Sequence, residues 1–461
     1  MALAGCSPAR PAGPSASPVG GSPADASATP VTVSPAASTG SAGLPAVTGG
    51  VRALWQGAPW VYLTFAGRDL LGADGDRLRV HAVSAATGAP LWTAAMPTSA
   101  PDILGLLPAG NVVIVAAGNP TGDPAGGFFV SEYVALSLAT GRRLWAAPLA
   151  GRMGSPPAAV SGKYLLTGDR SGAATARIAA TGAVVWHDAR PASCGPTPTQ
   201  TPDNAGLGLA ADGPLLAASF ECGPRIIVQR LDPATGKPSW TWRSPSVGAN
   251  VGEYMAVTNA ALQGGVVVVA GGIGAPPGAQ RFLRRWPHFS SPPAFGPNDA
   301  ESTILALSAA NGHPRWSELG AQQVTVATTG GAVCEVADVG VECRDDTTGA
   351  PAMPILLTGR KAMSIPPYFD DGFAGISDGL VAVTMPARSG VTLRVQRARG
   401  GAVVAQVHLA IGARAHDGAL YDVFAIGAGQ LTSSAILVLV RRIDLPGYPA
   451  LALKVPLPAA A

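Results

Sequence analysis

The groups able to do chemistry in these 461 residues are spread thinly, and their spacing is what decides between readings. The carboxylates come in short pairs: Asp74-Gly75-Asp76 close to Asp69, Asp345-Asp346 before Thr347, and Asp370-Asp371 before Gly372. Oxygen ligands at alternating positions suit calcium, so Asp74-Gly75-Asp76 is the one acidic run with a metal-binding pattern. The same residue types beside Gly and Thr build turns, and that is the reading adopted for all three runs. Six histidines (His81, His187, His288, His313, His408 and His416) show no His-Glu-x-x-His spacing, and no Gly-x-Ser-x-Gly elbow or phosphate-cradling loop occurs. His416-Asp417 has the residue types of a triad, but an adjacent pair in a loop is ordinarily solvated. No residue is therefore assigned a catalytic, metal-binding or cofactor-binding role.

The elements that would have to position such groups are repeated. Thr87-Gly88-Ala89-Pro90-Leu91-Trp92 returns as Thr140-Gly141-Arg142-Arg143-Leu144-Trp145, Thr181-Gly182-Ala183-Val184-Val185-Trp186 and Thr235-Gly236-Lys237-Pro238-Ser239-Trp240. Asn311-Gly312-His313-Pro314-Arg315-Trp316 is a worn copy. Each phrase follows a strand-like run such as Tyr133-Val134-Ala135-Leu136-Ser137-Leu138, and a further apolar run such as Gly265-Val266-Val267-Val268-Val269-Ala270 lies upstream. Thr-Gly supplies the turn, because Gly takes a positive φ at little steric cost. Each unit thus reads as three or four short antiparallel strands, with the Trp starting the outermost one.

Weaker copies place Met353, Ala405 and Leu451 where the Trp would stand, and Leu54-Trp55 precedes the series. Eight marks after position 55 predict eight blades, with seven as the alternative. A four-stranded sheet cannot bury both faces alone, and a radial arrangement lets each cover its neighbour while leaving short edges. Trp92, Trp145, Trp186, Trp240 and Trp316, each a ring of ~150–250 Å² of buriable surface, are expected to wedge between adjacent blades. The segment at Leu54-Trp55 is expected to supply an outer strand that closes the ring against the last blade.

The phrase Ala-Leu-x-x-Ala-Thr-Gly-x-x-x-Trp, read at Ala135 to Trp145 and at Ala306 to Trp316, resembles the tryptophan-docking motif of the pyrroloquinoline quinone (PQQ) enzyme-like repeat family of β-propellers. The resemblance covers roughly residues 51 to 455 and implies an all-β propeller of four-stranded antiparallel blades. Its motif speaks to the fold more than to the activity. The family includes quinoprotein dehydrogenases, which the resemblance implies would hold a quinone over calcium, and non-catalytic envelope lipoproteins. The adjacent cysteines that several of those dehydrogenases carry are missing here, and no ligand set for PQQ or calcium can be carried over.

Composition narrows the classes further. The chain holds 59 Gly and 43 Pro with 13% charged residues, which fits many short strands joined by tight turns. A formal charge of +3 without a Lys/Arg run lacks the clustered basic footprint of a nucleic-acid binder. No run of 18 apolar residues reads as a spanning helix. Leu3-Ala4-Gly5-Cys6 resembles a bacterial lipobox, so residues 1–6 read as the remnant of a signal whose start lies upstream, with Cys6 the acylated residue. Residues 7–50, rich in Pro, Ser, Ala and Gly, read as a disordered tether between membrane and propeller.

With Cys6 set aside, Cys194, Cys222, Cys334 and Cys343 remain, an even number that predicts two disulfides in an exported protein. Three pairings are possible. Cys334 and Cys343 bracket a hairpin with its turn near Asp338 to Gly340, which favours that pair and leaves Cys194 with Cys222. Zinc is the rival reading, without a Cys-x-x-Cys to support it. The spacing between Trp240 and Trp316 stretches by an insertion, Gly271 to Asn298, that carries Arg281, Arg284, Arg285, Trp286 and Phe289. Arg with aromatics is the composition of interface anchors, so this loop is the candidate partner site. The sequence as a whole reads as an exported, lipid-anchored, monomeric propeller that binds or scaffolds an envelope protein or cell-wall component. A PQQ-dependent dehydrogenase with an atypical site and a glycan-binding module are the alternatives.

Overall fold

The computed structural model describes the strands between Arg52 and Pro456 and their tight turns. Residues 1–51, 57–61, 75–77, 97–101, 121–127, 154–157, 195–206, 245–256, 272–301, 321–324, 358–373, 411–420, 443–450 and 457–461, with a few shorter connecting pieces, lie outside that description. Everything described belongs to one compact unit, Ser38–Ala461.

Eight four-stranded antiparallel sheets are present among the described residues. In chain order they cover residues 62–95, 102–153, 158–187, 207–243, 257–320, 325–357 and 374–410, and the eighth combines 421–456 with Arg52–Gln56. We call these blades 1 to 8. The first strand of each blade contacts the first strand of the next, from Tyr62–Ala66 and Asp102–Ala109 around to Tyr421–Thr432, which returns to Tyr62–Ala66. The first strands therefore line a closed ring and the fourth strands form its outer edges.

The second strands explain why several apolar runs do not alternate. Val112, Val113, Ile114 and Val115 are all buried, as are Val266, Val267, Val268 and Val269, because a sheet covered on both faces by neighbouring blades has no solvent side. Adjacent residues on such a strand enter different cores. Val113 and Val115 join the cluster shared with blade 1, whereas Val112 and Ile114 join the one shared with blade 3.

Closure of the ring joins the two ends of the sheet region. Arg52–Gln56 pairs with Leu451–Pro456 as the fourth strand of blade 8. Trp55 stands opposite Ala452, with a register shift just before it, and Trp92 stands opposite Ala82, Trp145 opposite Ala135 and Trp316 opposite Ala306 with the same shift. This corrects one sequence alignment. Leu451 lies on the third strand of blade 8, and the position equivalent to the repeat Trp is filled by Trp55. The fourth strands also begin two residues before the Trp, at Pro90 and Arg143 for example, because the bulge residue Leu91 or Leu144 is already part of the strand.

Candidate functional site

The seams between blades are where the repeat residues act. The indole N–H of Trp92 donates to the carbonyl of Leu138 at 2.6 Å, Trp145 to Ala179 at 2.8 Å, Trp186 to Pro233 at 2.9 Å, Trp240 to Ala309 at 2.9 Å and Trp316 to Asp346 at 3.1 Å. Every acceptor sits in the turn between the third and fourth strands of the following blade, three residues before that turn's Gly. The ring then covers the Gly itself. A Cβ on Gly141 would stand 2.5 Å from Cε3 of Trp92, and Gly182, Gly236, Gly312 and Gly349 lie equally tight under Trp145, Trp186, Trp240 and Trp316. Gly141 has φ +68°, so the turn needs Gly for its backbone and again for the space the indole takes. Thr-Gly and Trp thus belong to different blades when they meet, although one phrase carries both.

Behind Trp92, Trp145, Trp186 and Trp316 the sheet presents an alanine on the third strand and an aliphatic residue on the second, whereas blade 4 places Arg230 opposite Trp240, its guanidinium donating to the same Ala309 carbonyl. Ala82 faces Leu71 and Ala306 faces Val268. Blade 6 departs from this: Cys343 faces both Cys334 and Met353. Cys334 and Cys343 form a disulfide, are fully buried and pack with Met353 against Val381, Val383 and Ala398 of blade 7. The second disulfide, Cys194–Cys222, ties the connection after blade 3 to the end of the second strand of blade 4.

Among the described residues, two seams contain ion pairs that the sequence pattern did not reveal. Between blades 5 and 6, Arg344 pairs with Glu318 at 2.6 Å and with Glu342 at 3.1 Å, all three being largely buried, and donates to the carbonyl of Gly349. Glu335 stands directly opposite Glu342 on the same face. Between blades 6 and 7, Arg399 pairs with Asp345 at 2.5 Å, the amide of Gly400 donates to the carbonyl of Ala352 and the amide of Gly379 to the hydroxyl of Thr329. Backbone N–H donation from Thr348, then from Thr347 and with the Arg399 charge, holds the Asp345 carboxyl below its ordinary range. The signal was present in the alternation of charged residues within Glu335 to Arg344, but alternation alone reads as a solvated face.

The two ends of the ring differ. Turns from first to second strand and from third to fourth strand fall at one end, and these are the tight Gly turns at Gly110, Gly162, Gly213 and their equivalents. The connections from second to third strand and from blade to blade all open at the other end. The strands that flank the long connections 188–206, 244–256, 272–301, 358–373 and 411–420 all break off at that end. Arg281, Arg284, Arg285, Trp286 and Phe289 lie outside the described residues, yet the strands flanking their connection, Val266–Gly271 and Ser302–Ser308, open at this end. Cys6 and the tether 7–50 also lie outside the described residues.

Among the described residues no group of three His, Cys, Asp or Glu side chains could hold a metal ion. His81 bonds Thr93 and His187 bonds Thr175 across paired strands, so these rings are tied into the sheets. Burial pushes the Tyr133 phenol above its ordinary range, and its hydroxyl has no hydrogen-bond partner among the described residues. Among the described residues no helix is long and apolar enough to cross a membrane.

No curated protein matches the chain. Among solved structures, the computationally designed protein Ika8 aligns with TM-score 0.51 at 14% identity, covering 87% of this chain and 97% of its own. BamB from Moraxella catarrhalis aligns with TM-score 0.50 at 13% identity, covering 88% of this chain and 99% of its own. Identities this low show the shared fold. The family model described as outer membrane protein assembly factor BamB matches residues 45–189 and 130–275, half of the chain. Those residues hold the Trp92, Trp145 and Trp186 seams whole, and the seams of Trp240 and Trp316 repeat their geometry on turns beyond the match. The chain belongs to the BamB-like family of PQQ-like repeat β-propellers.

Proposed function

We propose that this propeller is a non-catalytic binding or scaffolding protein of a bacterial envelope, exported and held at the membrane by acylated Cys6 through the tether 7–50. Family membership supports the envelope scaffold, and two disulfides fit an oxidising compartment. The observation that carries the reading is the inequality of the two ends of the ring. Tight turns occupy one end, the strands flanking every long connection break off at the other, and long loops on a rigid frame are where recognition resides. The partner is an envelope protein or a cell-wall component. Its anchor is the connection holding Arg281, Arg284, Arg285, Trp286 and Phe289, which combines guanidinium donors with aromatic rings.

The experiment is a quantitative pull-down from envelope extract with the full chain and with R284A/R285A/W286A. Loss of the recovered partner by about ten-fold is expected, the effect of removing a few interface anchors. Undiminished recovery with a correctly folded variant overturns the assignment of this loop. Cys6→Ala is expected to move the protein from the membrane fraction to the soluble one.

A further inference from the structure

The seam between blades 6 and 7 is built on different chemistry from those clamped by an indole. Blade 5 presents Val268, Ala306 and Trp316 in register across three strands, whereas blade 6 presents Cys334, Cys343 and Met353 at the same places. The indole and its N–H donor are gone, and a covalent sulfur bridge occupies the position beneath. Ala398, which stands where the other blades offer a carbonyl to the indole, packs directly on the Cys334, Cys343 and Met353 cluster. The blade 7 face of the same seam carries Arg394 and Gln396 opposite Val383 and Val381. Nε of Arg394 and Oε1 of Gln396 are buried without a hydrogen-bond partner among the described residues. Buried unpaired polar atoms raise the free energy of the closed arrangement, so this seam has less holding it shut than the apolar seam at Trp92.

We infer that the Cys334–Cys343 disulfide, which joins two strands within blade 6, is a redox-sensitive part of the seam packing that takes the place of the indole, so that its reduction, which moves two bonded sulfurs apart into non-bonded contact, loosens blades 6 and 7 against each other while the Trp-clamped seams stay closed. The reductant is a dithiol. One of its thiolates attacks a protein sulfur to give a mixed disulfide, and its second thiolate then expels that sulfur. Two electrons and two protons pass to Cys334 and Cys343, which leave as thiols, and the reductant leaves as its disulfide. Both sulfurs are fully buried, so attack occurs during openings of the seam, and the product closes again over two thiols that need more room than the bridge did. What bridges the blades in both states is the Gly400–Ala352 main-chain bond, the Gly379–Thr329 bond and the Arg399–Asp345 pair.

Amide hydrogen exchange on the full chain tests this, because the amides of Gly379 and Gly400 are bonded across the seam. Dithiothreitol on the folded wild type, and the variant C334V/C343A without reductant, are each expected to speed exchange at these amides by about ten-fold or more. Peptides from residues 102–153, which meet blade 1 through Trp92, should change less than about two-fold. C194A/C222A separates the two disulfides and should retain the response to dithiothreitol. C334V/C343A/M353W copies the blade 5 arrangement and is expected to restore slow exchange that no longer responds to reductant. Unchanged exchange at Gly379 and Gly400 after complete reduction overturns the inference, and so does equal acceleration all round the ring. Should C334V/C343A fail to fold, the reduced wild type alone decides.

Discussion

The seam of blades 1 and 2 and the seam of blades 6 and 7 close over equivalent strand positions with different materials. In the first, Trp92 is 5% exposed, donates to the Leu138 carbonyl and covers Gly141, and the residues around it are aliphatic. One side chain fills the gap, satisfies a turn carbonyl and enforces the turn. In the second, Met353 fills part of the volume, a disulfide fills the rest, and the polar work passes to two backbone amides and a surface ion pair. The turn-side register at the two seams is nevertheless the same, with Trp92 opposite Ala82, Met353 opposite Cys343 and a shift of one residue toward the turn from each, to which blade 6 adds a second shift between Val341 and Cys343. The ring preserves geometry and lets the residues that supply it vary, because closure depends on filled volume and satisfied turn groups.

The largest test of this difference is truncation at the two equivalent positions. W92A removes a buried ring and a hydrogen bond and is expected to cost about 3–5 kcal/mol, against about 2–3 kcal/mol for M353A. Chemical denaturation of the full chain measures both, and equal losses would mean that the indole seam has no special weight. A narrower test uses two left-handed glycines. G141A combines φ +68° with a Cβ 2.5 Å from the Trp92 ring, whereas G400A meets φ +78° with nothing within 4 Å. The first is expected to cost about 2–4 kcal/mol and the second about 1–2 kcal/mol, the difference being the contact with the indole.

The smallest expected effect is electrostatic. The carboxyl of Asp345 is held below its unfolded value, chiefly by the Thr348 amide, so the folded state binds that proton less readily than the unfolded one. Its contribution is complete above the ordinary Asp value of about 4 and is lost as pH falls through the lower folded value. D345N is therefore expected to lose that contribution at neutral pH, together with the exposed pair to Arg399, and to flatten the profile below about pH 4, so that variant and wild type converge in acid. A D345N profile that still falls as steeply would assign the acid sensitivity of this turn elsewhere.

The repeated phrase made the strand order and the outer Trp positions legible, since a turn glycine and a large ring at fixed spacing are local facts of the chain. The strand from Arg52 was legible for the same reason, through Leu54-Trp55. The Leu451 alignment misled because Tyr448-Pro449-Ala450-Leu451 follows a Gly, and a turn-like string does not say which strand it precedes. Glu318, Glu342 and Arg344 were not legible as a cluster: the first belongs to blade 5 and the others to one strand of blade 6, and only blade stacking brings Glu318 within 2.6 Å of Arg344.

By itself, then, the sequence determined the hairpins, their turns and a set of side chains too large to leave in water, because those follow from φ preferences and apolar surface within a few residues. The tertiary structure decided which blade each Trp serves, since the indole binds the turn of the following sheet and not its own. It decided as well that Met353 sits on a disulfide and that the strands flanking the long connections all break off at one end. These are consequences of closing a ring, in which residues far apart in the chain become neighbours at a seam and no local preference records the meeting.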